Sequence, residues 1–355
     1  MVSSPSLDPP IVAASAQANL HHAYFLGLQL MVANQCDSDV VERWIFRLFR
    51  RQHEAKFLAG LEKLDLVGLP DAVACARYHV LSNSIGGVPV EYMEEGPHKA
   101  WVRFRYPRWM FDGPALCGIP EGASLGFLRG WYAHNGVSLN NPRLGFVCVS
   151  EDLSGEFGMC GYFREYPRQL LPDERLQFAR DELPPPFDAT AQPAPPSAQW
   201  NAERLQKANR NYALEYVRNG LIELSATIGA AQAEAIGSKA ARLIGLQYYR
   251  ATAAAVAAHD GDARDAAHYL CTMMRGLGDD VQMDTTATAT KAVVRHRGLR
   301  ILRDLDPANS ELLLACWTQL WTGAIRSHRA LLDLHIEREQ ADMLTWTIVD
   351  RRALA

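Results

Sequence analysis

The side chains best suited to chemistry in this 355-residue chain are two imidazoles, His79 and His134, and two thiols, Cys148 and Cys160. A neutral imidazole titrates near neutrality and serves as a general base. A thiol becomes a nucleophile only when a base or a positive charge lowers its pKa. His79 follows Tyr78 near the middle of an expected helix, one turn after Cys75. His134 closes the run Trp131-Tyr132-Ala133-His134, where Trp131 and Tyr132 would wall a pocket. Arg103 and Arg105 alternate along an expected strand, and a planar guanidinium can grip a carboxylate through two parallel hydrogen bonds. Glu91, on the strand before, can pair with either arginine, so an ordinary salt bridge is the default reading of that group. The bland alternatives elsewhere are a hydrogen-bonded core histidine and inert buried thiols.

The stretch holding the arginines occurs twice. Lys99–Arg108, KAWVRFRYPR, returns as Lys291–Arg300, KAVVRHRGLR, at one constant offset (295 − 103 = 192). Arg103 and Arg105 recur as Arg295 and Arg297, which a duplication alone would also preserve. Flanking features agree: Ala76-Arg77-Tyr78 answers Ala267-His268-Tyr269, and a helical run with Trp131 answers one with Trp321. The pattern reads as one α+β unit written in tandem, each copy ααα-ββ-α-ββ with an antiparallel sheet of about four strands packed by helices.

The expected domains are 1–182, a Pro-rich linker over 183–199 and 200–355. The linker holds six of the chain's 19 prolines, which makes it extended and semi-rigid. Expected helices include 11–33, 40–64 and 71–84, and 173–182 reads as a short closing helix. The second of these carries an apolar stripe of Trp44, Leu48, Phe57 and Leu61, with Arg47, Arg50, Arg51, Lys56 and Lys63 on the face read as solvated. Val102, Phe104 and Tyr106 fall on one face of their strand and the two arginines on the other, predicting one packed and one polar sheet face.

The formal charge of −4 and the sequence pI near 6.3 argue against nucleic acid as a partner. No apolar run reaches the roughly 18 residues that span a bilayer, and the N-terminus lacks signal-peptide character, so no membrane partner is expected. Seven cysteines without a CxxC pair fit reduced thiols in a cytoplasmic protein. No phosphate-binding loop, dinucleotide fingerprint, HExxH or GxSxG occurs, and no cofactor is expected.

The segment Leu128–Phe163 resembles the ends of two related families. One is the L-2-amino-thiazoline-4-carboxylate hydrolases, the other the 4-vinyl reductase domain of pigment-synthesis proteins and phenol-sensing regulators. The shared parts are Gly130-Trp131 on a helix, a strand Phe146–Glu151, a turn at Gly155 and a strand opening at Cys160-Gly161-Tyr162-Phe163. Trp321, Leu334–Glu337 and Met343–Thr347 keep that layout in the second half without the cysteine or glycine. The first likeness implies a hydrolase that opens a small C–N heterocycle or amidine on a carboxylate-bearing substrate. Under it His79, His134, Cys148 and Cys160 are the catalytic candidates, and Arg103, Arg105, Tyr78, Glu91, Trp131 and Tyr132 bind substrate. The second implies an aromatic-ligand sensor without turnover; a scaffold or assembly protein is a third reading, and self-association is left open. A 4-vinyl reductase metal site needs several cysteines and an acid, but beside Cys148, Glu151 and Cys160 the chain has Asp152-Leu153-Ser154 where another cysteine is wanted, so no metal is expected.

Overall fold

A computed structural model describes residues 9–196 and 200–353. The chain forms two compact units: a middle unit of residues 32–205, and a split unit joining 1–31 to 206–355. The fold is α+β, with two sheets built largely of antiparallel pairs.

In chain order the first elements are α1 (Pro9–Gln35), α2 (Ser38–Lys63), α3 (Asp71–Ile85), β1 (Val90–Gly96), β2 (Lys99–Phe104), α4 (Gly122–Gly130) and α5 (Asn135–Ser138). Then come β3 (Leu144–Ser150), β4 (Cys160–Glu165) and β5 (Leu176–Phe178). The remainder is α6 (Ala202–Ile228), α7 (Ala230–Ala255), α8 (Ala263–Leu277), β6 (Asp280–Met283), β7 (Lys291–Arg297), α9 (Pro307–Arg326), β8 (Leu332–Gln340) and β9 (Met343–Asp350).

Local signals place these elements. Asp37 caps α2 by accepting from the Val40 N–H at 2.8 Å, and Trp44, Leu48, Phe57 and Leu61 are the buried stripe. Pro70 precedes α3, which stops at Gly86 before Gly87 takes a left-handed φ of 77°. Asp262 and Asp265 form a reciprocal capping box on α8, which ends at Gly278 with φ of 90°.

The middle sheet runs β1-β2-β4-β3-β5 and the split-unit sheet β6-β7-β9-β8. The last two strands of each α-ββ-α-ββ series therefore enter their sheet in the same reversed order. β5 is the departure. Where the sequence reads as a helix over 173–182, the chain makes a 3-10 turn at Pro172–Arg175 and then a short strand parallel to β3. Glu174 stabilises that turn through a bidentate pair with Arg168, at 2.7 and 2.6 Å, and by accepting from Leu171 N–H.

A second departure concerns α1. Its residues up to 31 belong to the split unit: Gln17 donates to the Met273 carbonyl at 2.6 Å, and Tyr24 donates to the Gly237 carbonyl at 3.0 Å.

The third concerns the sheet faces. Val102 and Phe104 lie on the helix side of the middle sheet, as their alternation requires, but the opposite face is not simply polar. Met93, Trp101, Val147, Val149, Cys160 and Tyr162 form a second small core there, with Phe157 and Ala179 against it. The Pro-rich segment also lies along this sheet. Gln192 accepts from Tyr92 N–H at 2.9 Å and donates to Tyr92 C=O at 2.8 Å, a side chain doing what a neighbouring strand would do for β1. Positions 197–199 of the expected linker lie outside the described residues. Removing that amide by Gln192→Ala should lower stability by ~1 kcal/mol and speed hydrogen exchange at the Tyr92 amide; unchanged exchange there would mean that the pairing is not formed in solution.

The split-unit sheet keeps the simpler division. Leu344, Trp346 and Ile348 are buried, while Arg295, Arg297 and His335 are exposed.

Candidate functional site

The helix side of the middle sheet gathers most of the aromatic and imidazole groups singled out above. On α3, His79 lies fully inside, stacked on Tyr132 at 4.1 Å and 15° and near-parallel to Phe163 at 5.4 Å. Its Nε2 meets the Asn135 amide nitrogen at 3.1 Å; with that amide as donor the ring accepts at Nε2 and carries its proton on Nδ1. Burial, and then the neighbouring His53, hold its pKa well below the usual value, so it is neutral. Tyr78 and Trp131 are also near-parallel, at 6.3 Å and 24°.

From there the network runs towards the surface. His53, on α2, stacks on Phe57 at 4.6 Å, meets Trp131 edge-on at 5.4 Å and His134 at 5.1 Å, and its Nε2 bonds Ser138 Oγ at 2.9 Å. His53 was not among the residues picked out by sequence. Its pKa falls to about 3, by burial first and then by His134 and Arg50. His134 is partly exposed; burial, Arg50 and Arg175 lower its pKa to about 4.

His134 opens on a cleft of about 470 Å³ whose lining includes Phe46, Arg50, Arg129, Arg175, Leu176 and Phe178. A close helix crossing builds this cleft. Gly122, Gly126 and Gly130 recur every fourth residue on α4 and turn to Ser38, Glu42 and Phe46 of α2, where a Cβ on Gly126 would lie 2.5 Å from the Glu42 carbonyl oxygen. With the axes that near, Arg50 reaches the end of α4 and donates to the carbonyls of Gly130 at 3.1 Å and Arg129 at 3.3 Å. Arg129 pairs with Glu42, and Asp173 is the carboxylate on the cleft lining. Arg50 and Arg175 thus share an aromatic-bearing cleft with a neutral imidazole, close enough for their charges to act on it. The glycine spacing, which did not enter the reading of the sequence, is the signal that could have located this site, since small residues four apart let two helices approach closely.

The other candidates fall elsewhere. Arg103 and Arg105 lie on the opposite sheet face and pair with Glu91 at 3.8 and 3.0 Å, the default ion-pair reading. Cys160 shares that face, opposite Arg103 in register, whereas Cys148 is on the helix side with Phe146. The two thiols on neighbouring strands therefore point to opposite faces. Burial pushes Cys160 up to about 12, and burial with Glu151 raises Cys148 further, so neither is a thiolate at neutral pH. Glu151 is engaged by Arg180. Among the described residues no three His, Cys, Asp or Glu side chains converge as a metal-binding group would. Nor, among those residues, is any helix long and apolar enough to cross a membrane.

A second groove, of about 560 Å³ in the split unit, is lined by Leu299, Leu302, Arg303, Arg338 and their neighbours. Its lining holds neither an aromatic ring nor an imidazole, and the Arg338–Glu311 ion pair at 2.5 Å belongs to it. The sequence matches no protein-family model, and comparison with curated proteins and with solved structures gave no match.

Proposed function

We propose that the middle unit takes a small, anionic, ring-bearing molecule into the cleft at His134 and opens a C–N bond in it with water. The observation that carries this reading is that the His134 imidazole, Arg50 and Arg175 line one cleft together. A guanidinium can hold a carboxylate while Phe46 and Phe178 offer faces for a flat ring. A bound anion also offsets the two positive charges that depress His134, raising its pKa towards the range of an effective base. Water would add its oxygen to the C=N carbon while His134 moves its first proton to the former imine nitrogen; His134 would then take the remaining hydroxyl proton as C=O forms and the C–N bond breaks, and return it to the departing nitrogen. Water is the nucleophile of choice because the thiols are protonated and buried.

This reading keeps the resemblance to the thiazoline-carboxylate hydrolases, but moves the substrate-holding arginines from Arg103 and Arg105 to Arg50 and Arg175. It also takes the two units as copies of one ancestral unit, supported by the shared strand order and the 192-residue offset of Arg103 and Arg295. A cytoplasmic setting fits seven cysteines that form no disulfide. The alternative is capture of an aromatic anion without turnover, in the manner of a 4-vinyl reductase domain. It is favoured by how much of the aromatic network, His79 and Tyr132 included, is closed off from solvent.

A panel of heterocyclic carboxylates and phenols separates these readings. Turnover that His134→Ala abolishes supports hydrolysis; tight binding without product supports capture; neither binding nor turnover sinks both. Arg175→Gln should weaken binding of any anionic hit at least ~10-fold and leave uncharged analogues unaffected. Equal losses for charged and uncharged ligands would remove Arg175 from the site.

A further inference from the structure

The split unit carries its own concentration of positive charge. Arg210 on α6 and Arg300, just past β7, converge at the C-terminal end of α8. A Cβ on Gly278 would lie 3.0 Å from Arg300 Nη2 and 3.1 Å from Arg210 Nη1. Neither guanidinium has a carboxylate within ion-pair distance among the described residues. Arg300 Nη2 donates to the Gly278 carbonyl at 3.4 Å, Arg210 Nη1 to the Gly276 carbonyl at 3.5 Å, and Arg210 Nε and Nη2 each to Asn211 Oδ1 at 3.4 Å. All four are long hydrogen bonds to neutral acceptors, and Arg300 Nε is buried without a partner.

The acid close by is already committed. Asp279 is buried and accepts from His296 Nε2 at 2.9 Å and from the Arg300 backbone N–H at 3.1 Å. Burial and then the charge of Arg300 lower the pKa of Arg210, and the nearby Asp279 only partly offsets them. Carbonyls at a helix C-terminus favour a cation, but they amount to about half a charge against two guanidiniums.

The middle unit shows this arginine with a full counter-charge. Arg300 stands 192 residues after Arg108 (300 − 108 = 192), and the Arg108 guanidinium meets the Asp152 carboxylate at 2.5 Å with both side chains buried. We propose that Arg210 and Arg300 form a seat for an oxyanion, the phosphate or carboxylate group of a small ligand, which gives Arg300 the counter-charge that Asp152 gives Arg108. A forked guanidinium suits either group, since both present paired oxygens.

The test is titration of the full chain with inorganic phosphate or acetate at constant ionic strength, against chloride, by calorimetry and thermal unfolding. An Arg175→Gln background keeps anions at the His134 cleft out of the signal. Binding that raises the melting temperature, and that weakens at least ~10-fold in both Arg300→Gln and Arg210→Gln, is the expected result. The anion giving the larger response identifies the group. Arg210→Lys, which keeps the charge and loses the fork, should bind with intermediate affinity and guards against a folding defect in the glutamine variants. If neither anion binds the background protein more tightly than it binds the Arg300→Gln variant, the arginines only cap α8 and the seat does not exist.

Discussion

Asp152→Asn should cost the middle unit about 3–5 kcal/mol, because it strands a buried guanidinium. The Arg108 side chain is 3% exposed and the Asp152 side chain 0%. The cation also sits over Phe104 at 4.2 Å and Phe127 at 5.1 Å, and Tyr106 donates to the Asp152 carbonyl and carboxylate at 2.8 and 3.1 Å. The asparagine variant keeps the shape and most acceptor capacity while deleting the charge, so the loss measures the stranded cation. Replacing both partners, Arg108→Met with Asp152→Leu, should cost much less than the single change, since no unpaired charge remains. Urea denaturation followed by tryptophan fluorescence reads both. A double variant as unstable as the single one would show that packing around Arg108, not its charge, dominates.

Gly126→Ala should cost the middle unit ~3 kcal/mol for a single added methyl group. The added Cβ would lie 2.5 Å from the Glu42 carbonyl oxygen and 2.9 Å from the Phe46 backbone nitrogen. Neither is the movable end of a side chain, so α4 must retreat from α2. That retreat pulls the Gly130 and Arg129 carbonyls away from Arg50 and loosens the cleft. Reduced stability together with weakened anion binding is therefore expected. A Gly126→Ala protein of wild-type stability would mean that the helices are not in such close approach.

The elements were largely legible because each carries its own punctuation. The Asp37 cap, the Gly86-Gly87 stop and the turn at Gly96 mark boundaries by local backbone chemistry, independent of tertiary surroundings. The failures share a different origin. Leu176-Gln177-Phe178 is too short to show a period, and the Asp173-Glu174 pair before it mimics a helix start. The apolar positions of α1 say that the helix is buried, but not against which part of the chain. Trp101 and Tyr162 bury the arginine-bearing sheet face although alternation assigned it to water. Arg50 read as a solvated charge on α2, since helical spacing cannot reveal that another helix ends beside it. His79, His134, Tyr78, Trp131 and Tyr132 did come together, because one helix and one turn carry them all. Cys148 and Cys160 did not, because register decides which face a strand residue takes, and a bulge between Cys148 and Ser150 intervenes.

The glutamine lying along β1 bears on how this protein behaves in a crowded solution. A sheet border with open amides and carbonyls is a template on which foreign polypeptide can build. At β1 the Gln192 amide occupies the Tyr92 positions, and at the other border the short β5 covers β3. In the split unit β8 forms one of the two borders and bristles with Glu337, Arg338 and Glu339 instead. Cleavage within the proline-rich stretch would thus do more than cut a tether: it would uncover a strand margin and invite aggregation by the middle unit.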